Sequence, residues 1–279
     1  MESPGHPPAA VIAAVRTLLA PWRWLTRPRF YGLTNVPNDR PVVLVGNHTL
    51  MGVLDVPLMM VGLHERRGVW PRPLGDHIHF AVPGWRDLLT YLGTVEGTRE
   101  NCRALMAAGE SILVFPGGAR EVFKRKGEQY RLRWSNRTGF ARLAVEHGYP
   151  IVPFAAVGAD DCYEIVLDAG EVRRLLPPLR RLPRSDEMPP LVRGVGPTVI
   201  PRPQRFYFFF APPFETTHLG GAAADEPAIF ALREQVRAAV EAGLAFLLSE
   251  RRRDPRRRLL ARVAGTRGAR GRARPASRR

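Results

Sequence analysis

Lysine is nearly absent from this chain. Of its 42 basic residues only Lys124 and Lys126 are not arginine, a bias that GC-rich coding produces as readily as selection for a partner. Cysteine is equally scarce. Cys102 and Cys162 show neither a metal-ligand spacing nor a disulfide framework, so each reads as a plain buried thiol, and nothing argues for an oxidising compartment. No charge-free apolar run reaches the roughly 18 residues a transmembrane helix needs. Residues 9–26 come closest, but Arg16 and Pro21 interrupt them, and without a cleavage site they do not read as a signal peptide. The common catalytic signatures are missing too: G-x-S-x-G, H-E-x-x-H, the P-loop and the dinucleotide fingerprint. The G-V-G-P from Gly194 to Pro197 is not such a fingerprint, because it follows no strand and opens no helix.

What is present supports a folded body. The chain has 279 residues, 45% of them hydrophobic, enough for a sizeable core. Its net charge of +16 is unevenly placed. Residues 251–279 hold 13 arginines and one aspartate, or +12, which leaves +4 for residues 1–250. That end reads as a disordered basic tail, either plainly solvated or attracted to an anionic membrane surface. No aromatic residue is interleaved in it, so specific nucleic-acid binding is not expected. Residues 9–26, with Trp22, Trp24 and flanking arginines, suit an amphipathic interfacial helix or a helix packed on the domain. We read three regions: 1–40 as N-terminal helix and connector, 41–255 as a single domain, and 256–279 as the tail.

The domain is organised around V-V-L-V-G-N-H-T-L-M-G-V-L-D-V-P, from Val42 to Pro57. The apolar run predicts a buried strand that Gly46 and Asn47 end. Asp55 has the residue type of a helix N-cap, and Pro57 fits a first turn. His48 then sits in a strand-to-helix loop, where open α/β sheets bind ligands. Ser111 to Phe115 predicts a second buried strand running into P-G-G-A-R-E, and Ile151 to Ala156 a third. Further helices are expected over 100–109, 138–147 and 227–252, a short strand in the 27–40 connector, another near 93–97 and a late one at 205–210. Residues 171–205, dense in Pro and Arg, predict little regular structure, as a membrane-facing loop or a surface excursion. The fold expected is α/β, a central mixed sheet with helices on both faces.

A neutral imidazole can take a proton from an alcohol near pH 7, and works better when a carboxylate holds its other nitrogen. With no serine nucleophile in a matching motif, His48 would deprotonate a bound hydroxyl, which then attacks an activated carbonyl such as a thioester. The oxyanion needs backbone N–H groups or an arginine, which Gly117, Gly118 and Arg120 are placed to supply. His77 and His79 would share one face if this stretch is a strand, but no further ligands at a recognisable spacing complete a metal site.

Several ordered blocks carry a resemblance: G-N-H-T-L-M-G-V-L-D-V-P from Gly46, G-T-V-E-G-T-R-E-N-C from Gly93, F-P-G-G-A-R-E-V-F-K-R from Phe115 and P-I-V-P-F-A-A-V-G from Pro150. The chain resembles the glycerolipid and lysophospholipid acyltransferase superfamily, and more closely its bacterial diacylglycerol-acyltransferase-like branch. The resemblance covers about Arg40 to Arg257. It implies a peripheral enzyme at the cytoplasmic face of a membrane. Its donor substrate would be acyl-CoA, its acceptor a lipid, and no cofactor or metal is needed. His48 would be the catalytic base and Asp55 its partner, with Arg99, Pro116, Gly117, Gly118, Arg120 and Glu121 binding substrate. Two departures stand out. Six residues separate His48 from Asp55 where the family usually has four. On an unbroken helix that spacing means ~10 Å, so the two meet only across an irregular turn, which Gly52 permits. The phosphate-acceptor enzymes carry F-P-E-G-T-R, whereas this chain has Gly117 in the glutamate's place and a new Glu121, as in enzymes with neutral acceptors. The alternatives are a lysophosphatidate or other lysophospholipid acyltransferase, and a non-catalytic lipid-binding protein tethered by its tail.

Overall fold

A computed structural model of the protein describes residues 6–175, 188–221 and 225–262. In chain order the strands are β1 (Arg29–Tyr31), β2 (Val43–Gly46), β3 (Arg72–Gly75), β4 (Val95–Glu96), β5 (Ile112–Val114), β6 (Ile151–Val157), β7 (Glu164–Leu167), β8 (Leu191–Arg193) and β9 (Tyr207–Phe210). The α-helices are α1 (Ala9–Leu18), α2 (Ala20–Thr26), α3 (Val56–Arg67), α4 (His77–Phe80), α5 (Trp85–Tyr91), α6 (Arg99–Ala107), α7 (Ala119–Val122), α8 (Gly139–His147), α9 (Ala169–Leu175) and α10 (Glu226–Arg253).

The central sheet has the order β1-β9-β6-β2-β5-β3-β4. Every pairing in it is parallel except β6 with β9. It is the mixed α/β sheet the sequence predicts. Its middle strands are buried on both faces, so they alternate between two cores rather than between core and solvent. Val43 and Val45 of β2 face the layer formed with α6, α8 and α10, and Leu44 faces the layer formed with α1 and α3. β7 and β8 form a separate antiparallel ribbon. Cys102 and Cys162 are free buried thiols.

Several expectations are corrected. Residues 9–26 form two helices, not one, with Pro21 opening the second. The first buries Val11 and Ile12, and Trp22 Nε1 of the second donates to the Leu54 carbonyl, so the pair packs on the domain. Leu18 and Trp24 stay exposed. The connector supplies β1, the edge of the central sheet, which joins residues 27–40 to the body. His77 and His79 lie on the one-turn α4 rather than on a strand, because Asp76 caps that turn through the Ile78 amide. The 171–205 stretch contributes the end of α9 and all of β8, while residues 176–187 lie outside the described residues. The packed chain also continues beyond residue 255. Arg262 is fully buried and donates to the carbonyls of Leu25, Arg257 and Pro203. The remainder of the tail, 263–279, lies outside the described residues. Among the described residues no helix is long and apolar enough to cross a membrane.

Candidate active site

The site forms where β2 ends. The Asn47 amide donates to the Ala156 carbonyl (3.0 Å) and accepts from the Ala156 N–H (2.8 Å), a side chain continuing the pairing of β2 with β6. His48 follows, held by its backbone. Its N–H donates to Glu121 Oε2 at 2.7 Å, and its carbonyl accepts from Lys124 Nζ at 2.5 Å. The Leu50 N–H donates to Asp160 Oδ1 (2.7 Å) and the Met51 N–H to the Val122 carbonyl (3.1 Å). Met51 and Gly52 then take left-handed φ angles of 63° and 64°.

The His48 ring stacks on Phe115, with centroids 4.1 Å apart and planes 25° from parallel. Gly52 supports it from another side: a Cβ there would stand 2.2 Å from His48 Cε1. Nδ1 is buried without a hydrogen-bond partner. Burial first, and then the charges of Lys124 and His79, push the imidazole pKa down to about 3. His48 is therefore neutral across the physiological range.

Asp55 is buried, and its Oδ1 accepts from Thr49 Oγ1 (2.7 Å) and from the Val56 N–H (3.0 Å) as the cap of α3. Burial raises its pKa to about 6, against the Thr49 hydrogen bond. The irregular turn that the six-residue gap requires is present. It delivers the carboxylate to Thr49, and among the described residues no hydrogen bond or ion pair joins Asp55 to His48. Asp55 thus shapes the turn. Thr49→Val and Asp55→Asn should therefore lower kcat by similar factors, and the double variant should lose no more than either alone. A cycle of the four kcat values tests this; additive losses would mean that Asp55 acts on the imidazole separately.

Glu121 is fully buried and accepts from the N–H groups of His48 and Arg133 (2.6 Å). Burial is the main influence raising its pKa. A Cβ on Gly117 would lie 2.1 Å from Glu121 Cδ. Position 117 must therefore lack a side chain to admit the Glu121 carboxylate. Behind them Asp160, also fully buried, accepts from the Tyr130 N–H (2.9 Å) and lies 3.5 Å from Lys124 Nζ. Lys124 and Asp160 escaped the sequence reading. The available signal was that Lys124 is one of two lysines in an arginine-rich chain.

The other candidates separate. Arg120 forms a two-pronged ion pair with Glu128 (2.7 and 2.8 Å). The Pro116 carbonyl accepts from Arg137 Nη1 at 2.8 Å. Arg99 is exposed at the start of α6, after Thr98 caps it. His77 Nδ1 lies 2.8 Å from Asp76, whereas His79 Nδ1 accepts from Trp85 Nε1 (3.3 Å). The H-x-H pair is thus divided between two partners.

Two clefts meet at Phe115 and Leu74. One of about 280 Å³ is mostly apolar, with His48, Gly52, Met60, Trp70 and Trp85 among its walls and His79 at its edge. The other, of about 480 Å³, carries Arg99, Asn136, Arg137 and Thr138. A half-buried neutral imidazole thus lines the apolar slot, and the neighbouring cleft adds two arginines to otherwise largely apolar walls.

Residues 27–157 match the family described as Acyltransferase. That segment, just under half of the chain, holds β1 to β6 and the His48 loop. The chain is 33% identical over 255 residues to phytyl ester synthase 1, chloroplastic, of Arabidopsis thaliana, covering 83% of this chain and 36% of that one. It is 30% identical over 123 residues to the human DGAT1/2-independent enzyme synthesizing storage lipids, covering 44% of this chain and 37% of that protein. The chain thus spans about a third of these relatives' length. The crystal structure of the 1-acyl-sn-glycerophosphate (LPA) acyltransferase PlsC from Thermotoga maritima shares the fold, with a TM-score of 0.52 at 17% identity, over 85% of this chain and 79% of that one.

Proposed function

We propose that this acyltransferase moves a fatty acyl group from acyl-CoA to the hydroxyl of a neutral lipid alcohol, such as diacylglycerol, while resting on a membrane surface. His48 takes the proton as the acceptor oxygen attacks the thioester carbonyl. The tetrahedral oxyanion is met by the Gly117 and Ala119 N–H groups, the Gly118 N–H being held by the Phe115 carbonyl, the carbon–sulfur bond breaks, and the thiolate leaves with the proton held on His48. The observation that carries this reading is His48 itself: a neutral imidazole stacked on Phe115 at an apolar cleft, with its backbone clamped on both sides.

Support for a neutral acceptor comes from the 115–121 loop. Gly117 replaces the glutamate of the phosphate-acceptor pattern, and Arg120 is engaged by Glu128. A phytyl ester synthase among the relatives points the same way, toward esterification of a lipidic alcohol. Val53, Ile78, Val82, Trp85, Leu88 and Tyr91 are exposed on or beside the cleft walls, which suits approach from a lipid surface at the cytoplasmic face of a membrane. Arg99 and Arg137 in the second cleft favour a second reading, lysophosphatidate as acceptor. Labelled acyl-CoA offered with diacylglycerol, a long-chain alcohol and lysophosphatidate separates them. A neutral product formed at least ten times faster is expected. Preference for lysophosphatidate would overturn the acceptor, and absence of CoA release with every acceptor would favour a lipid-binding protein.

A further inference from the structure

A third cavity, of about 610 Å³, lies between the 132–137 segment and one face of α10, with Arg133, Arg137, Arg233 and Arg237 in its walls. It adjoins the cleft that carries Arg99, because Asn136 and Arg137 line both. That cleft in turn shares Phe115 and Leu74 with the His48 cleft.

The arginines are only partly neutralised. Arg133 pairs with Glu128, Arg233 with Glu234, and Arg237 with Glu234 and Glu241. Arg137 has no carboxylate partner among the described residues, and its Nη1 is anchored on the Pro116 carbonyl. A Cβ on Gly118 would lie 2.8 Å from that nitrogen, so the glycine makes room for the arginine. Arg233 is 3% exposed and sits on the Trp134 and Phe230 rings while donating to the Ser135 carbonyl. The Nε–H groups of Arg133, Arg233 and Arg237 are buried and lack an acceptor. Those Nε–H groups are closed off from the cavity, so it is the partly exposed guanidiniums of Arg137 and Arg237 that an acceptor-only, multiply charged ligand would meet.

We propose that this cavity binds the phosphate groups of the acyl donor's carrier, holding a coenzyme A-type nucleotide while its thioester reaches His48. This rests on the acyl-CoA donor proposed above. The excess of guanidinium over carboxylate selects an anion. The row of adjoining clefts, sharing Phe115 and then Arg137, suits a ligand long enough to extend from the reaction centre to α10.

The test uses Arg237→Glu and Arg137→Gln in the full chain. Desulfo-coenzyme A, which keeps every phosphate but cannot carry an acyl group, is the calorimetric probe. Wild type should bind it, and each variant at least tenfold more weakly, with Arg237→Lys intermediate. In turnover, the preference for acyl-CoA over acyl-pantetheine, expressed as a ratio of kcat/KM, should fall about tenfold through KM. Equal probe binding by wild type and both folded variants, or no binding at all, would overturn the proposal. If vesicles containing phosphatidic acid, and not the probe, lose binding in the variants, the phosphate belongs to a lipid headgroup and the donor assignment is overturned. If the variants lose the probe but acyl-CoA supports no transfer by wild type, the cavity stands and the proposed reaction fails.

Discussion

Substituting His48 with glutamine should leave a folded protein that transfers acyl groups about 10²–10⁴-fold more slowly, the usual contribution of a positioned general base. The fold should survive because His48 is fixed by its backbone groups, which the substitution keeps. Far-UV circular dichroism and a melting curve, taken beside the kcat, separate chemistry from unfolding. The same residue has a pH signature. A folded pKa of about 3 against 6.5 means that the unfolded chain binds more protons at His48 between those values. Its contribution to stability is complete above pH 6.5 and is lost as pH falls toward 3. Asp55, raised from 3.8 to about 6, runs the other way, its contribution being complete below pH 3.8 and lost as pH rises through 6. The two oppose each other between about pH 4 and 6. An acid limb of kcat/KM near pH 6.5 would therefore not come from His48, since that profile reports the free enzyme. Lys124→Met should raise the His48 pKa, read from its ring protons by NMR, because it removes one of the charges that depress it.

The largest stability loss should come from Asp160→Ala. Asp160 holds the Leu50 and Tyr130 amides and lies opposite Lys124, all in a fully buried setting. Removing it leaves two amides without acceptors and a buried ammonium without its carboxylate. The expected cost is about 3–5 kcal/mol, equivalent to a fall in Tm of roughly 6–20 °C for a domain of this size. Asp160→Ala combined with Lys124→Met should recover part of it, since the stranded charge is gone. A Tm within two degrees of wild type for the single variant would show that the pair is not structural. The turn carrying His48 hangs from this network, so activity should fall along with stability.

Much of this arrangement was legible from local signals. The alternation of V-L-V, the Gly46–Asn47 stop and the capping chemistry of Asp55 all produced the elements they predict. The His48 loop at the strand's carboxyl end followed from those elements alone. What escaped was set by contacts far apart in sequence. Arg120 pairs with Glu128, eight residues on, because the turn at Gly127 folds back on α7. Asp55 could be placed within reach of the loop by spacing, but the choice between Thr49 and His48 depends on two left-handed residues, of which only Gly52 announces itself. H-I-H-F fits a strand by alternation as well as a helical turn, and the Asp76 cap decides for the turn of helix. Asp160 lies 110 residues from Leu50 along the chain, a pairing that no local pattern encodes.

The central claim is direct transfer, at His48, from a thioester to a neutral lipid hydroxyl. A single-turnover experiment with excess enzyme, labelled acyl-CoA and diacylglycerol, quenched in acid at successive times, tests it most directly. The label should pass from donor to triacylglycerol in one phase, with none retained on precipitated protein, and His48→Gln should slow that phase alone. Protein-bound label that forms first and then drains into product, with a rate unchanged in His48→Gln, would contradict the account.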